Sequence, residues 1–166
     1  MTRDKPPKDN VQSRAEQSRA EQSRAEQRGL YSSRTDEWET PQKLFDRLNY
    51  IFSFDIDAAA SDSNAKLPVY YTQKDDSLRQ DWRGKKVWCN PPYGKQIKKW
   101  VAKAAETVKD NNSLVVMLIP ARTDTQWFHD YILNNPQAHT VFIRGRIRFG
   151  NSSENAPFPS MLVVFA

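Results

Sequence analysis

The run Ser113–Ile119, S-L-V-V-M-L-I, is apolar at every position after its serine and shows no alternation. A strand wetted on one face alternates apolar with polar residues. A strand apolar throughout needs cover on both faces, as in a parallel sheet sandwiched between helices. It is too short to span a membrane, and so is the other long apolar run, Met161–Ala166. The surrounding pattern agrees with a sandwiched sheet. Leu44, Phe45, Leu48 and Ile51 recur at helical spacing behind Thr40-Pro41, which resembles an N-cap followed by proline at the first helical position. Phe52–Ala60 reads as a strand running into a turn, Leu67–Thr72 as a short strand-like stretch and Lys86–Cys89 as a strand. Gln96–Val108 is a helix with Ile97, Trp100, Val101 and Ala104 on its inner face, and Thr125–Leu133 is a second. Thr140–Phe149 reads as a strand and its exit, and Met161–Phe165 as a final strand. Alternating strands and helices predict an α/β domain, a mostly parallel sheet flanked by helices.

The 166 residues suffice for one domain with a real core. Ser13–Gln27 is S-R-A-E-Q repeated three times, with no apolar residue larger than alanine and a period matching neither a helix nor a heptad. Residues 1–34 are therefore expected to be a disordered polar tail, and residues 35–166 the folded domain. The tail carries eight Lys/Arg against five Asp/Glu, the rest 17 against 15, so the net charge of +5 is mostly tail. Any nucleic-acid surface on the domain has to come from local clustering. Cys89 is the only cysteine and is read as a small buried strand residue. One thiol cannot close an intramolecular disulfide, and the first residues do not read as a charged-then-apolar leader, so no secretion signal and a reducing cytoplasm are expected. His129 and His139 lie in no metal-ligand pattern, so no metal is expected.

In such sheets ligands bind beyond the carboxyl ends of the strands, where Asp57, Asn90 and Pro120-Ala121-Arg122 fall. The sharpest of these ends is Asn90-Pro91-Pro92-Tyr93. Two prolines stiffen the strand exit and remove two N–H donors. The Asn90 amide oxygen and the Pro91 carbonyl are adjacent acceptors that can hold one –NH₂ group and aim its lone pair at an electrophile. Tyr93, expected to be exposed, can stack on a flat ring bearing that amine. This suits methyl transfer to an exocyclic or amide nitrogen. A plain turn, or a proline-rich ligand for an adaptor domain, is the bland alternative.

The stretch matches the Asp/Asn/Ser-Pro-Pro-aromatic motif of amino-methyltransferases, and the chain over 35–166 resembles the phage and prophage DNA N6-adenine methyltransferase (Dam-like) family. Trp38–Pro41, Phe54–Ser61, Leu78 with Trp82, Asn90–Gly94, Pro120–Asp124 through Trp127-Phe128, Arg144–Phe149 and Ala156–Ser160 carry the resemblance. It implies a compact Rossmann-like methyltransferase fold, S-adenosyl-L-methionine as methyl donor and adenine in double-stranded DNA as acceptor. The base would be flipped into the Asn90-Pro91-Pro92-Tyr93 site, with activity in the bacterial host cytoplasm and GATC as the target the family name suggests. RNA adenine or a protein glutamine is the alternative acceptor, and a catalytically silent DNA-binding module the alternative of another class.

Carried over by position, the resemblance makes Asn90, Pro91, Pro92 and Tyr93 the catalytic residues. Thr40, Pro41, Asp57, Ala58, Ala59 and Asp81 face the cofactor, Asp81 being preferred over Asp75 and Asp76. Arg122 and Phe149 face the substrate. The chain departs from amino-methyltransferases in having no G-x-G; Asp57-Ala58-Ala59-Ala60-Ser61 stands in that place. Several roles have plain structural counterparts: Thr40-Pro41 as a helix cap, Asp57 as a cap or turn residue, Arg122 as a solvated arginine and Phe149 as core. Arg144, Arg146 and Arg148 are open between phosphate contact and protection of an edge strand.

Overall fold

A computed structural model describes residues 38–150 and 152–166. The S-R-A-E-Q repeats and the expected boundary between tail and domain lie outside the described residues. The protein forms an α/β fold around one five-stranded sheet, in the order β1-β2-β3-β5-β4. The strands are β1 (Ile56–Asp57), β2 (Lys86–Cys89), β3 (Leu114–Pro120), β4 (Ala138–Phe142) and β5 (Ser160–Phe165). β1, β2 and β3 pair in parallel, while β5 pairs antiparallel with both β3 and β4. β5 is thus the one reversed strand, and β4 runs in the direction of β3. Val115 to Ile119 are fully buried, as a strand covered on both faces must be.

Helix α1 (Gln42–Phe52) buries Phe45 and Leu48. Ile51, expected on the inner face, is 67% exposed. The stripe instead continues from Leu48 to Phe52, which stacks on Phe54 with ring centroids 5.7 Å apart. The helix stops because Ser53 turns left-handed (φ 54°), its N–H returning to the Asn49 carbonyl. That stop shortens the expected strand 52–60 to the pair Ile56–Asp57. The 67–72 stretch makes a single bridge, Tyr70 to Asp57, which covers the outer edge of β1. Trp88, Phe45 and Phe54 pack with centroids 5.7–6.1 Å apart and dock α1 on β2.

Helix α2 (Ile97–Thr107) crosses from β2 to β3 and buries Ile97, Val101, Ala104 and Ala105. Trp100 is half-buried, its ring 6.2 Å from that of Trp82. The expected helix 125–133 is a short α3 (Gln126–Phe128) that widens into a π-turn over His129–Leu133. The expected strand 140–149 ends at Phe142 because Gly145, at φ +81°, takes the backbone out of extended geometry. Arg144, Arg146 and Arg148 therefore lie beyond the strand and form no face of it, so they are not edge-strand guards. No helix among the described residues is long and apolar enough to cross a membrane.

Candidate active site

The register places Asp57 beside Trp88, and Cys89 beside Met117, so the carboxyl ends of β1, β2 and β3 lie side by side. Asn90 leaves β2 there, and its amide is held from three sides. Its Nδ2 donates to the Trp38 carbonyl and, at 2.9 Å, to the Thr40 hydroxyl. Its Oδ1 accepts from the Tyr93 hydroxyl at 2.7 Å, and that hydroxyl also lies 3.1 Å from the Leu118 carbonyl. An amide nitrogen has two hydrogens, and both are taken. The amide oxygen, with a second lone pair, is left as the acceptor. Pro91 has no N–H, and its carbonyl accepts no hydrogen bond among the described residues.

Thr40 is therefore not a helix cap. Pro41 occupies the capping position, and no side chain caps α1. The Thr40 side chain turns the other way, is 3% exposed, and orients Asn90. Replacing Thr40 with Val keeps the shape and removes the acceptor. Steady-state kinetics should show kcat about tenfold lower, the value of one hydrogen bond of positioning, with Thr40→Ser close to wild type.

The strap Trp38-Glu39-Thr40 is tied at further points. The Gly150 N–H donates to the Glu39 carbonyl at 2.7 Å, and the Glu39 carboxylate pairs with Lys66 at 3.1 Å. The left-handed φ of Gly150, +56°, suits glycine at this close approach. Trp38 meets Phe149 and Phe158 edge-on, with centroids 5.3 and 5.0 Å away, and Tyr93 meets the same two rings at 6.0 and 5.6 Å. Tyr93 is thus not the exposed ring expected. It is 4% exposed, and burial pushes its phenol well above the usual value, so it remains a hydrogen-bond donor. Phe149 is equally buried, while Trp38 and Phe158 are half-exposed and present the cluster's outer surface.

Asp57 ends β1 at 3% exposure. One carboxylate oxygen accepts from the Ala59 N–H at 3.3 Å, the other from the Lys66 N–H at 3.0 Å. Desolvation still raises its pKa above the ordinary value of 3.8, against those bonds and the Lys66 charge. A carboxyl raised on folding binds its proton more tightly in the native state. Its contribution to stability is therefore greatest below the unfolded pKa and falls as pH rises through the folded one. Denaturation midpoints of wild type and Asp57→Asn across acid pH should show the difference moving in favour of wild type on acidification. A difference independent of pH would contradict this.

The family model described as DNA N-6-adenine-methyltransferase (Dam) matches residues 27–165. The chain belongs to this family. It is 31% identical over 140 residues to the DNA N-6-adenine-methyltransferase of Haemophilus phage HP1 (strain HP1c1), covering 80% of each chain. It is 38% identical over 95 residues to the DNA N-6-adenine-methyltransferase of Escherichia phage T1, covering 56% of this chain and 39% of the phage protein. A putative methyltransferase of Escherichia coli (strain K12), YfdM, is 35% identical over 65 residues, 35% of this chain and 71% of that one.

Within this Dam-family chain the remaining expected residues separate. Asp81 is not brought to the site. It precedes β2 and so lies at the opposite end of that strand from Asn90, exposed and forked onto Arg83 with two contacts of 2.9 Å. Those contacts hold its carboxyl well below the usual range. Asp75 and Asp76 follow the Tyr70-Tyr71 segment, which runs parallel to β1, and the Asp75 carbonyl accepts from the Gln80 side chain at 2.6 Å. Asp75 accepts from the Thr72 N–H and hydroxyl, and Asp76 pairs with Arg79 at 3.0 Å. Arg122 follows β3, exposed, at the same end as Asn90. The sequence assigned no role to Trp38 or Phe158. Their signal was an aromatic ring two residues before the Thr-Pro step and another between two prolines.

Proposed function

We propose that the chain transfers a methyl group from S-adenosyl-L-methionine to the exocyclic amine of adenine in double-stranded DNA, with the base flipped out of the helix. Family membership makes it an adenine-specific DNA methyltransferase. The carrying observation is the Asn90 amide, whose nitrogen is fully occupied by Trp38 and Thr40 and whose oxygen is thereby fixed as an acceptor beside the Pro91 carbonyl, which has no partner among the described residues. Two rigid acceptors take the two amine hydrogens and leave the nitrogen lone pair pointing away from both. The Asn90 oxygen has two lone pairs, so it serves the adenine amine while keeping the Tyr93 hydroxyl. Trp38 and Phe158 offer ring surface for the flipped base. Stacking on Tyr93 itself requires the edges of Phe149 and Phe158 to withdraw. Pro92 keeps the turn stiff, and Arg122 meets the phosphate beside the flipped nucleotide.

The residues at the carboxyl end of β1 fit the donor's chemistry. Asp57 is a buried carboxylate with a lone pair to spare on each oxygen, suited to an amino group. Ala58 and Ala59 add only methyl groups beside it, where a larger side chain would fill the approach. Thr40 keeps its hydroxyl hydrogen to donate, and Pro41 closes that side. Asp75 and Asp76, which follow the segment bridged to Asp57, are the carboxylates offered to the donor's hydroxyl groups. The donor supplies, when bound, a methyl already activated by a sulfonium sulfur. Alignment by Asn90 and Pro91 is therefore the main demand on the protein, and no residue of unusual basicity is called for.

The deciding experiment is transfer of labelled methyl from S-adenosyl-L-methionine to unmethylated duplex DNA, with the product identified as N6-methyladenine. Donor binding without incorporation into DNA would move the acceptor to RNA or protein. Absence of donor binding would end the enzyme reading.

A further inference from the structure

The arginines of the 143–149 segment have no part in the chemistry above, and their placement is unusual. Phe142, the last residue of β4, pairs with Met161, and Pro120, the last of β3, pairs with Ser160. The two parallel strands thus end level, on the side where Asn90 leaves β2. From there the Ile143 N–H donates to the Ser160 carbonyl and Gly145 turns the chain. Ile147 is then buried, its carbonyl accepting from Ala156 at 2.8 Å, and Phe149 packs against Tyr93. The segment therefore runs along the carboxyl edge of the sheet, from β4 back to the active site. Its apolar residues point inward, and Arg144, Arg146 and Arg148 are all exposed.

Among the described residues none of these three is in an ion pair, although Glu154 is near in sequence. Arg148 is held by Asn155 at 3.0 Å, whereas Arg144 and Arg146 make no side-chain hydrogen bond among the described residues. Phe142 beside them is 61% exposed. Guanidinium groups unpaired among the described residues, beside an exposed aromatic ring, suit a ligand that offers phosphates with sugar and base edges between them.

Resting on the methyltransferase reading, we propose that Arg144 and Arg146, with Phe142, form an outer clamp on duplex DNA. The arginines hold backbone phosphates, and the ring lies against a sugar or base edge. Three strand spacings separate β2 from β4, roughly 14 Å at about 4.8 Å each. At about 3.4 Å per nucleotide Phe142, at the end of β4, meets DNA about four base pairs from the flipped adenine, and Arg144 and Arg146 meet it on the returning path within that distance. It anchors the duplex at a distance while Asn90 and Arg122 handle the extruded nucleotide.

The test is fluorescence anisotropy of the full chain with a short adenine-containing duplex at several salt concentrations. Arg144→Gln/Arg146→Gln should bind about a hundredfold more weakly, about tenfold for each charged contact. Its log–log salt slope should be shallower by about two, one for each phosphate released. Donor binding should match wild type, showing the variant folded. Phe142→Ala should weaken binding without changing the slope. Lys86→Gln/Lys109→Gln removes the same charge from the opposite end of the sheet and should leave the slope unchanged. An arginine variant with wild-type affinity and slope overturns the clamp, as does a lysine variant with an equal loss. Wild type that neither binds nor methylates duplex DNA overturns the methyltransferase reading itself, so the two failures are distinguishable.

Discussion

Asn90→Ala should lower kcat for methyl transfer about 10²–10³-fold while donor affinity stays within about twofold. The substitution removes the acceptor proposed for the reacting nitrogen and no group proposed for the donor. The residual activity comes from the Pro91 carbonyl, which the change leaves in place. Structural damage should be limited. The Tyr93 hydroxyl keeps the Leu118 carbonyl, and the strap loses the two hydrogen bonds that Asn90 gave to Trp38 and Thr40, worth about 1 kcal/mol each. Asn90→Asp separates acceptor from anchor. It keeps an oxygen for the amine but loses both donors, and its carboxylate faces the Trp38 carbonyl. Its kcat should fall between Asn90→Ala and wild type. Single-turnover methylation with saturating donor measures this directly, and an unchanged rate in Asn90→Ala would remove Asn90 from the chemistry.

Trp88→Ala should be the most destabilising single change among the aromatic residues, costing about 3–5 kcal/mol. The ring is 1% exposed and sits at 5.7 Å centroid distance from both Phe45 and Phe54, so it joins β2 to α1. Truncation leaves a cavity bounded by two rings that cannot both move in to fill it, because Phe45 is fixed by its helix and Phe54 by the chain entering β1. Against a usual stability of about 5–15 kcal/mol, the midpoint of thermal unfolding should fall by on the order of 10–15 °C. Trp88→Phe fills most of the volume and should cost about 1–2 kcal/mol. Urea titration with an unchanged m-value checks that the loss is in native packing. A loss below about 1 kcal/mol for Trp88→Ala would mean that α1 is docked by something else. Trp88 lies two residues before Asn90, so the variant should also lose activity through the loosened strand end.

The order in which the site is built follows from these contacts. Asn90 is rigid because its amide is fully bonded on one side, and the strap that bonds it is itself tied to Gly150 and to Lys66. The Lys66 backbone in turn holds Asp57. One continuous set of hydrogen bonds thus connects the residue proposed to hold the amine with the carboxylate proposed for the donor. Loosening the strap at Thr40 should therefore disturb alignment more than either binding step, which is why kcat carries the expected change.

Several features were determined by neighbours along the chain. The apolar run of β3 requires cover on both faces wherever it lies, and α2 announces itself by period. Asn90-Pro91-Pro92-Tyr93 ends β2 because proline cannot continue the ladder. These are properties of adjacent residues and are legible along the chain, together with the α/β class and the candidate amide. Other features depend on residues far apart. β1 is a strand only through β2 and Tyr70, and Ile51 faces water because Phe52 finds Phe54. Tyr93 is buried by Phe149 and Phe158, more than fifty positions away, and Thr40 is turned from helix cap to amide anchor by Asn90, at a similar separation. A hydroxyl or a carboxylate bonds whichever group packing brings within about 3 Å. Only the tertiary structure decides which group that is.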